Sequence, residues 1–414
     1  MIQSINMKQA QYLTAREAAA ELNVSRATLY AYVSRGLIRS EPSSSPRARL
    51  YRAEDVRALR DRKAPARQPA DGSAAALQWG APILESAITL ITETDLFYRG
   101  RSAARLAESA SLETVAALLW DCAGEDPFAG SLPPAPALQA PDDGLVGMDR
   151  CLALLAHAAP LDLRAFNQDP AGVARTGARL VRLLAAGMGG AAPDERPAHA
   201  ILARGWGVVD RSDADLLRAA LVLAADHELN ASTFTVRCIA STGASPYAAV
   251  MGGLCALQGP RHGGATARVA ALFDEAAATG DPRLAIARRL KRGDRISGFG
   301  HPLYPQGDPR AKVLLRMLQR RAAGDPGLAA ATALADAVRE LTGREPTIDF
   351  ALMALARTLG LPAHAPIGLF AVGRCVGWIA HALEQYAGGQ LIRPRSRYIG
   401  DPPLAADDCG DSRA

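Results

Sequence analysis

Aromatic residues make up only 5% of the 414-residue chain, while 49% of it is hydrophobic. The core must therefore be mainly aliphatic, and the abundance of alanine favours helices, since alanine loses least on entering one. Strictly alternating runs of valine and isoleucine are nearly absent, which predicts an almost all-α protein. The six cysteines, at 122, 151, 238, 255, 375 and 409, lie far apart and form no Cys-x-x-Cys. That argues against a disulfide scaffold or a zinc site, so no metal is expected, and for reduced thiols in a cytoplasm. No signal peptide is expected, because Lys8, Arg16 and Glu17 interrupt any apolar core near the start. The segment Cys238–Pro260 is uncharged, but it holds Ser, Thr, Pro and several Gly between charged flanks. It reads as a buried helix rather than a membrane span. No repeat of fixed period is visible, which excludes a solenoid.

What the chain does have is uneven charge. Residues 1–67 hold 13 Lys and Arg against 6 Asp and Glu, and the remainder holds 34 against 36. The basicity belongs to the N-terminal segment, a distribution that suggests contact with nucleic acid. There, Thr14-Ala-Arg-Glu17 has the form of a capping box. Ala18, Ala19 and Leu22 line one side of the short helix it opens. After the Asn23-Val24 turn, Ser25 caps a second helix with Leu29, Val33 and Leu37 inward and Arg26, Thr28, Tyr30 and Arg35 outward. Gly36 stops it; a Ser/Pro loop, a basic wing with Arg47 and Arg49, and a third helix over 53–62 follow. Helix, tight turn, helix and basic wing is the layout of a winged helix-turn-helix. The stretch Tyr12–Arg62 resembles the MerR/excisionase type, in Thr14-Ala-Arg-Glu-Ala-Ala19, Val24-Ser-Arg-Ala-Thr-Leu-Tyr30 and Gly36-Leu-Ile38. The resemblance implies duplex DNA as a partner, with protein docking as the other use of such a module. A Pro/Ala/Gly/Ser-rich linker then leads to a long helical region.

A length of 414 residues predicts two or three domains. In the long region, Ile88–Ile91 leads into a turn at Thr92–Asp95 and then Leu96-Phe-Tyr-Arg-Gly100. Ser111 caps a helix, and further helices are expected over 147–158, 171–188 and 213–226. Helices are also expected after His262 to Ala278, over Asp281–Gly293, from Asp308 and over Gly368–Gln385, with a Pro-bounded loop at Leu359–Pro366. Leu391–Tyr398 reads as a basic extended segment and 401–414 as a disordered acidic tail.

Three residues stand at the edges of turns: His262 in Gly259-Pro-Arg-His-Gly-Gly264, His301 in Gly298-Phe-Gly-His301, and Asp349 in Pro346-Thr-Ile-Asp349. Two histidines and a carboxylate so placed can carry general acid–base chemistry. These stretches, with Leu96–Gly100, Asp226-His-Glu…Asn-Ala-Ser232, Asp308-Pro-Arg310, Gly377–His381 and Ile392-Arg-Pro-Arg395, follow one another in the order and spacing of a known family. Residues 77–400 resemble the citrate synthase family along their whole length.

The resemblance implies an all-α fold of a large domain (77–262 and 363–400) and a small domain (263–362). Ahead of them would lie the helix-turn-helix domain (1–66) and a linker (67–76). It implies a homodimer with shared active sites and an acyltransferase reaction of the tricarboxylic acid cycle. In that reaction acetyl-CoA condenses with oxaloacetate, and acetyl-CoA is a co-substrate rather than a bound cofactor. Asp349 matches the family base, His262 the histidine on the thioester oxygen, and His301 the one that polarises the ketone. His227 matches a substrate-binding histidine. Arg310, Arg374 and Arg393 match the carboxylate-binding arginines, the last supplied by the partner protomer. His364 and His381 match no catalytic position and read as structural. The chain departs from the family at Pro302, where many members have Arg, and at Pro305-Gln306, near which a Lys is often found. Both positions lie near the CoA site, for which Arg295, Gly298 and Gly300 are the contacts expected here. Two alternatives stay open: 2-methylcitrate synthesis from propionyl-CoA, and a transcription regulator that uses this region as a metabolite sensor.

Overall fold

The computed structural model describes residues 12–22, 24–34, 38–42, 49–56, 84–122, 124–134, 144–396 and 398–400. The chain divides into two compact units, Met1–Glu85 with Arg395–Ala414, and Ser86–Pro394. The linker over 67–76 and the tail over 401–414 lie outside the described residues. So do Gly36, Leu37 and the third helix beyond residue 56.

The first unit comprises β1 (Tyr12–Thr14), α1 (Ala15–Glu21), α2 (Arg26–Ser34), β2 (Ser40–Pro42) and β3 (Arg49–Arg52), with a helical turn over 53–56. The capping box forms: Glu17 N donates to Thr14 Oγ1 at 3.3 Å and Thr14 N donates to the Glu17 carboxylate at 2.8 Å. Ser25 Oγ accepts the Thr28 amide at 3.2 Å, as a cap should. The strands form one antiparallel sheet in the order β1-β3-β2, with Tyr51 of β3 opposite Leu13 and Ser40. Ala18, Ala19, Leu22, Leu29, Tyr32, Ile38, Tyr51 and Val56 make the core. Tyr32 takes the place expected of Val33, which is only half-buried. The pair Leu29 and Tyr32, one helical turn apart, sets the buried face of α2.

The second unit opens with a small antiparallel sheet that the composition did not lead one to expect. It consists of β4 (Thr89–Ile91), β5 (Leu96–Tyr98) and β6 (Arg101–Ser102). Helices follow: α3 (Ala103–Ser109), α4 (Leu112–Leu119), α5 (Gly147–Ala158), α6 (Pro170–Gly189), α7 (Ala198–Gly205) and α8 (Arg211–Ala224). Next come α9 (Ala231–Ala240), α10 (Pro246–Leu257), α11 (Ala265–Thr279), α12 (Pro282–Arg292), α13 (Pro309–Arg321), α14 (Pro326–Thr342), α15 (Ile348–Thr358) and α16 (Ala365–Gly388).

α16 is the spine. It packs on α6, α8, α9 and α10 and is buried over most of its 24 residues. By length and composition it could cross a membrane, yet 89% of its most apolar window is buried against protein, as in a core helix. It starts at Ala365, earlier than expected, because Pro366 in the first turn has no amide that the helix would need there. Gly377 allows its close approach to the 225–226 turn: a Cβ there would stand 2.5 Å from Ala225 O and against Asp226 Oδ1. Each large side chain buried on this helix, such as Trp378, contributes about 1.5–3 kcal/mol of transfer free energy.

The helices α11 to α15 form a second layer among themselves, with α13 also against α8 and α15 against α16. Three of them start in the same way. Asp281, Asp308 and Asp325 each cap the helix, and proline occupies its first turn. α8 ends at Ala224, two residues before the expected end. Tyr98 is the reason: its hydroxyl donates to Val222 O at 3.0 Å and accepts from Asp226 N at 3.3 Å, which turns the chain out of the helix.

Candidate active site

Four connections and one helix face meet in the second unit. The connections are α8–α9 (His227), α10–α11 (His262), α12–α13 (His301 to Asp308) and the entry to α15 (Asp349). The face of α16 carries Phe370, Arg374 and Trp378.

His262 is held by a relay. Its Nε2 lies 2.8 Å from Ser232 Oγ, to which Trp378 Nε1 donates at 3.2 Å. Ser232 Oγ donates to Asn230 Oδ1 at 2.8 Å. That oxygen already accepts the amides of Ser232 and Thr233 as the cap of α9. With its one proton given to Asn230 Oδ1, the Ser232 hydroxyl accepts from Trp378 Nε1–H and from His262 Nε2–H in this structure. Burial pushes the imidazole down to about 4, with the Arg374 charge acting in the same direction. His262 is therefore neutral near pH 7.

His301 is oriented by its own turn. Leu303 N donates to its Nδ1 at 3.2 Å, so the ring proton sits on Nε2. Burial and then Arg310 bring it to about 4. The turn is pinned to the entry of α15, since Thr347 N donates to Gly298 O at 2.8 Å and Gly300 N to Glu345 O at 2.9 Å. Gly298 has φ +85, and a Cβ would lie 2.9 Å from Val269 and 3.2 Å from Phe350, so only glycine fits. His227 packs edge-on to His301 with ring centres 5.3 Å apart, and its Nε2 lies 2.9 Å from Tyr304 Oη. Burial, then Arg310 and Arg374, hold His227 far below its ordinary value.

Asp308 organises the acidic and basic groups. It caps α13, grips Arg310 at 2.9 and 2.8 Å, and accepts Ile348 N at 3.0 Å. Burial opposes the charge of Arg310, but Asp308 more than offsets it and holds the guanidinium above its ordinary value. Asp349 follows one residue after that anchored amide, with its carboxylate 3.3 Å from Thr347 Oγ1. Burial raises its pKa against the opposing charge of Arg310, which makes it a stronger base than an exposed carboxylate.

Arg374 is the most telling residue. It is 1% exposed, donates through Nε to Ala224 O at 2.9 Å, and stands 4.7 Å over the Phe370 ring. Its Nη2 is buried with no hydrogen-bond partner. Burial lowers its pKa to about 10, so it remains charged at neutral pH. A buried guanidinium with an unused donor is a place for an anion.

His227, His262, His301, Asp349, Arg310 and Arg374 are thus brought together. Arg393 is not: it is exposed in the segment after α16 and makes no hydrogen bond or ion pair among the described residues. Arg295 is exposed just before the Gly298–His301 turn, and Gly300 (φ +74) lies against the Arg344 stem. His364 bonds Met188 O at 3.0 Å, and His381 faces Asp226 at 3.4 Å in a buried pair. Both contacts are consistent with structural roles. Of the DNA-contact candidates, Tyr30 is 52% exposed, Arg49 is exposed, and Thr28 is half-buried beside Ser25. Arg35, Arg47 and the side chain of Arg26 lie outside the described residues. Sequence reasoning gave no role to Ser232, Tyr304, Phe370 or Trp378. The spacing Phe370, Arg374, Trp378 on one helix face was the available signal.

Comparison with known proteins identifies the family of the chain. The family model for the citrate synthase C-terminal domain matches residues 137–395, and one for a helix-turn-helix domain matches 12–64. A putative citrate synthase 2 of Mycobacterium tuberculosis is 39% identical over 212 residues, 50% of this chain. The match spans only 57% of that relative's length. A 2-methylcitrate synthase 2 of Corynebacterium glutamicum is 33% identical over 74% of this chain and 89% of its own. Among solved structures, the citrate synthase of Thermoplasma acidophilum with carboxymethyl coenzyme A and oxaloacetate aligns with a TM-score of 0.67 and 25% identity. That alignment covers 78% of this chain and 96% of the other. With its helical architecture, its converging histidines and arginines, and these matches, the chain belongs to the citrate synthase family and carries a helix-turn-helix domain ahead of the family region.

Proposed function

We propose that this chain condenses an acyl-CoA thioester with oxaloacetate and hydrolyses the resulting thioester. The product is citrate from acetyl-CoA or 2-methylcitrate from propionyl-CoA. The observation that carries the reading is Arg374, whose buried Nη2 has no partner while His227, His301 and Arg310 surround the same space. A keto-dicarboxylate suits such a space, because its carboxylates meet guanidinium groups and its ketone meets a neutral N–H donor.

In the proposed mechanism Asp349 removes a proton from the carbon next to the thioester carbonyl. Burial, which raises its pKa, favours that role. His262 stabilises the developing enolate oxygen as a neutral donor from Nδ1–H, which requires the Ser232 hydroxyl to turn from Asn230 Oδ1 and donate to Nε2. The enolate carbon attacks the oxaloacetate ketone, polarised by His301 Nε2–H, and the new alkoxide takes up a proton. Water then cleaves the thioester and releases CoA. Arg310 and Arg374 hold the carboxylates, joined by Arg393 from a second protomer of a homodimer. Arg295 and the backbone at Gly298 and Gly300 are the proposed CoA contacts.

The test is a condensation assay on the purified chain with oxaloacetate and either acetyl-CoA or propionyl-CoA. Propionyl-CoA is included because the C. glutamicum relative, aligned over 89% of its length, is a 2-methylcitrate synthase. Asp349→Asn should remove turnover while leaving oxaloacetate binding in place, since the amide keeps the shape but takes no proton. No turnover by the wild-type chain with either thioester would overturn the reading.

The helix-turn-helix match supports a second role, duplex DNA contact through the N-terminal unit, with the family region as catalyst or metabolite sensor. A mobility-shift assay at low salt on fragments from the surrounding genome tests it. Binding should weaken steeply as salt rises.

A further inference from the structure

Tyr304 lies at the centre of the histidine cluster, and the reaction described above gives it no part. It is 1% exposed, and its ring sits 5.0 Å from that of His301 and 5.7 Å from that of His227. The guanidinium carbon of Arg310 stands 5.8 Å from the ring centre. Its backbone amide donates to His301 O at 3.0 Å, so the phenol is built into the turn that carries His301. Among the described residues the phenol oxygen has one hydrogen-bond partner, His227 Nε2, at 2.9 Å.

That single bond can run in two directions. If His227 Nε2–H donates, the phenol proton is left buried without an acceptor, and the Nδ1 lone pair is also unused. If the phenol donates, the unused donor is instead Nδ1–H, which is not enclosed by protein atoms and can be met by water or a ligand. An unmade buried hydrogen bond costs about 1–3 kcal/mol, so the second arrangement is favoured. The phenol keeps its proton throughout, because burial pushes its pKa up to about 12.

We propose that Tyr304 is a positioning residue for the keto-acid site. Its O–H occupies His227 Nε2, fixes the His227 proton on Nδ1 and so presents a neutral donor to the bound keto-dicarboxylate. The proposal deepens the oxaloacetate reading and rests on it.

Tyr304→Phe in the full chain keeps the ring and removes only the donor. In calorimetric titrations with oxaloacetate, its Kd should rise about tenfold, the equivalent of one hydrogen bond at about 1.4 kcal/mol. KM for oxaloacetate should rise similarly, while KM for the acyl-CoA stays unchanged. The nitrogen spectrum of ¹⁵N-histidine-labelled protein should show His227 protonated at Nδ1 in the wild type and shifted toward Nε2 in the variant. A role in packing alone would not move that signal. Wild-type His227 protonated at Nε2, or unchanged oxaloacetate affinity in the folded variant, would overturn the proposal. If the variant fails to fold, the wild-type tautomer still decides. If wild-type chain binds no oxaloacetate, the functional reading falls, and the tautomer measurement still judges the positioning claim separately.

Discussion

At the scale of single residues, the site is defined by groups held away from their ordinary charge states. His262 and His301 both lie near pKa 4 against an ordinary value of 6.5. The unfolded chain therefore takes up protons at these two positions between pH 6.5 and 4 that the folded chain does not. Stability grows with pH wherever the unfolded state binds more protons. The contribution of these histidines is thus complete above pH 6.5 and is lost progressively as pH falls toward 4. Thermal melts across that window should show a falling Tm, with a shallower fall in His262→Asn. A wild-type Tm independent of pH from 6.5 to 4 would contradict the burial of these rings. His262, His301 and Asp349 were legible in the sequence, because each is a reactive type at the edge of a glycine or proline turn. Ser232 and Tyr304 were not. Their roles come from partners 30 and 77 residues away, a distance that no local pattern encodes.

At the scale of elements, the caps were the most legible feature. Thr14, Ser25, Ser111 and Asp308 all accept the amides that their positions call for. A cap is a local device, so the local sequence suffices to find it. The β4–β6 sheet escaped, because strands of two or three residues show no period. The close approach of α16 to the 225–226 turn escaped as well, since Gly377 looks like any helical glycine until its neighbour is known. That approach gives a test. Gly377→Ala should cost about 1–3 kcal/mol through overpacking, despite alanine's better helix propensity. Because the new methyl would press on Asp226 beside His227, oxaloacetate binding should weaken too. A rise in Tm would show that the turn can yield.

At the scale of the whole molecule, the isolated Arg393 separates a self-sufficient site from a shared one. In the proposed homodimer it completes the partner's site, while His262 serves its own. His262→Ala and Arg393→Ala homodimers should each be inactive. Co-expressed, they form mixed dimers in which one site carries both lesions and the other none, so roughly a quarter of wild-type activity should return. No recovered turnover in purified mixed dimers would place Arg393 within its own protomer's site. The family region was legible as a whole because many short motifs recur in order. The arrangement of protomers leaves no such mark in one chain. The way the second unit begins also has a practical consequence. The Ala87 amide donates to Glu384 Oε1, and the other oxygen of that carboxylate takes Arg237, which reaches His381 and, through it, Asp226. The first residues of the unit thus hold one end of a polar chain whose other end lies beside His227. A truncation that starts at residue 84 keeps the chain intact. One that starts at 92 removes β4 and the Ala87 amide from Glu384, and should yield a protein that melts earlier and, on the proposed function, binds oxaloacetate more weakly.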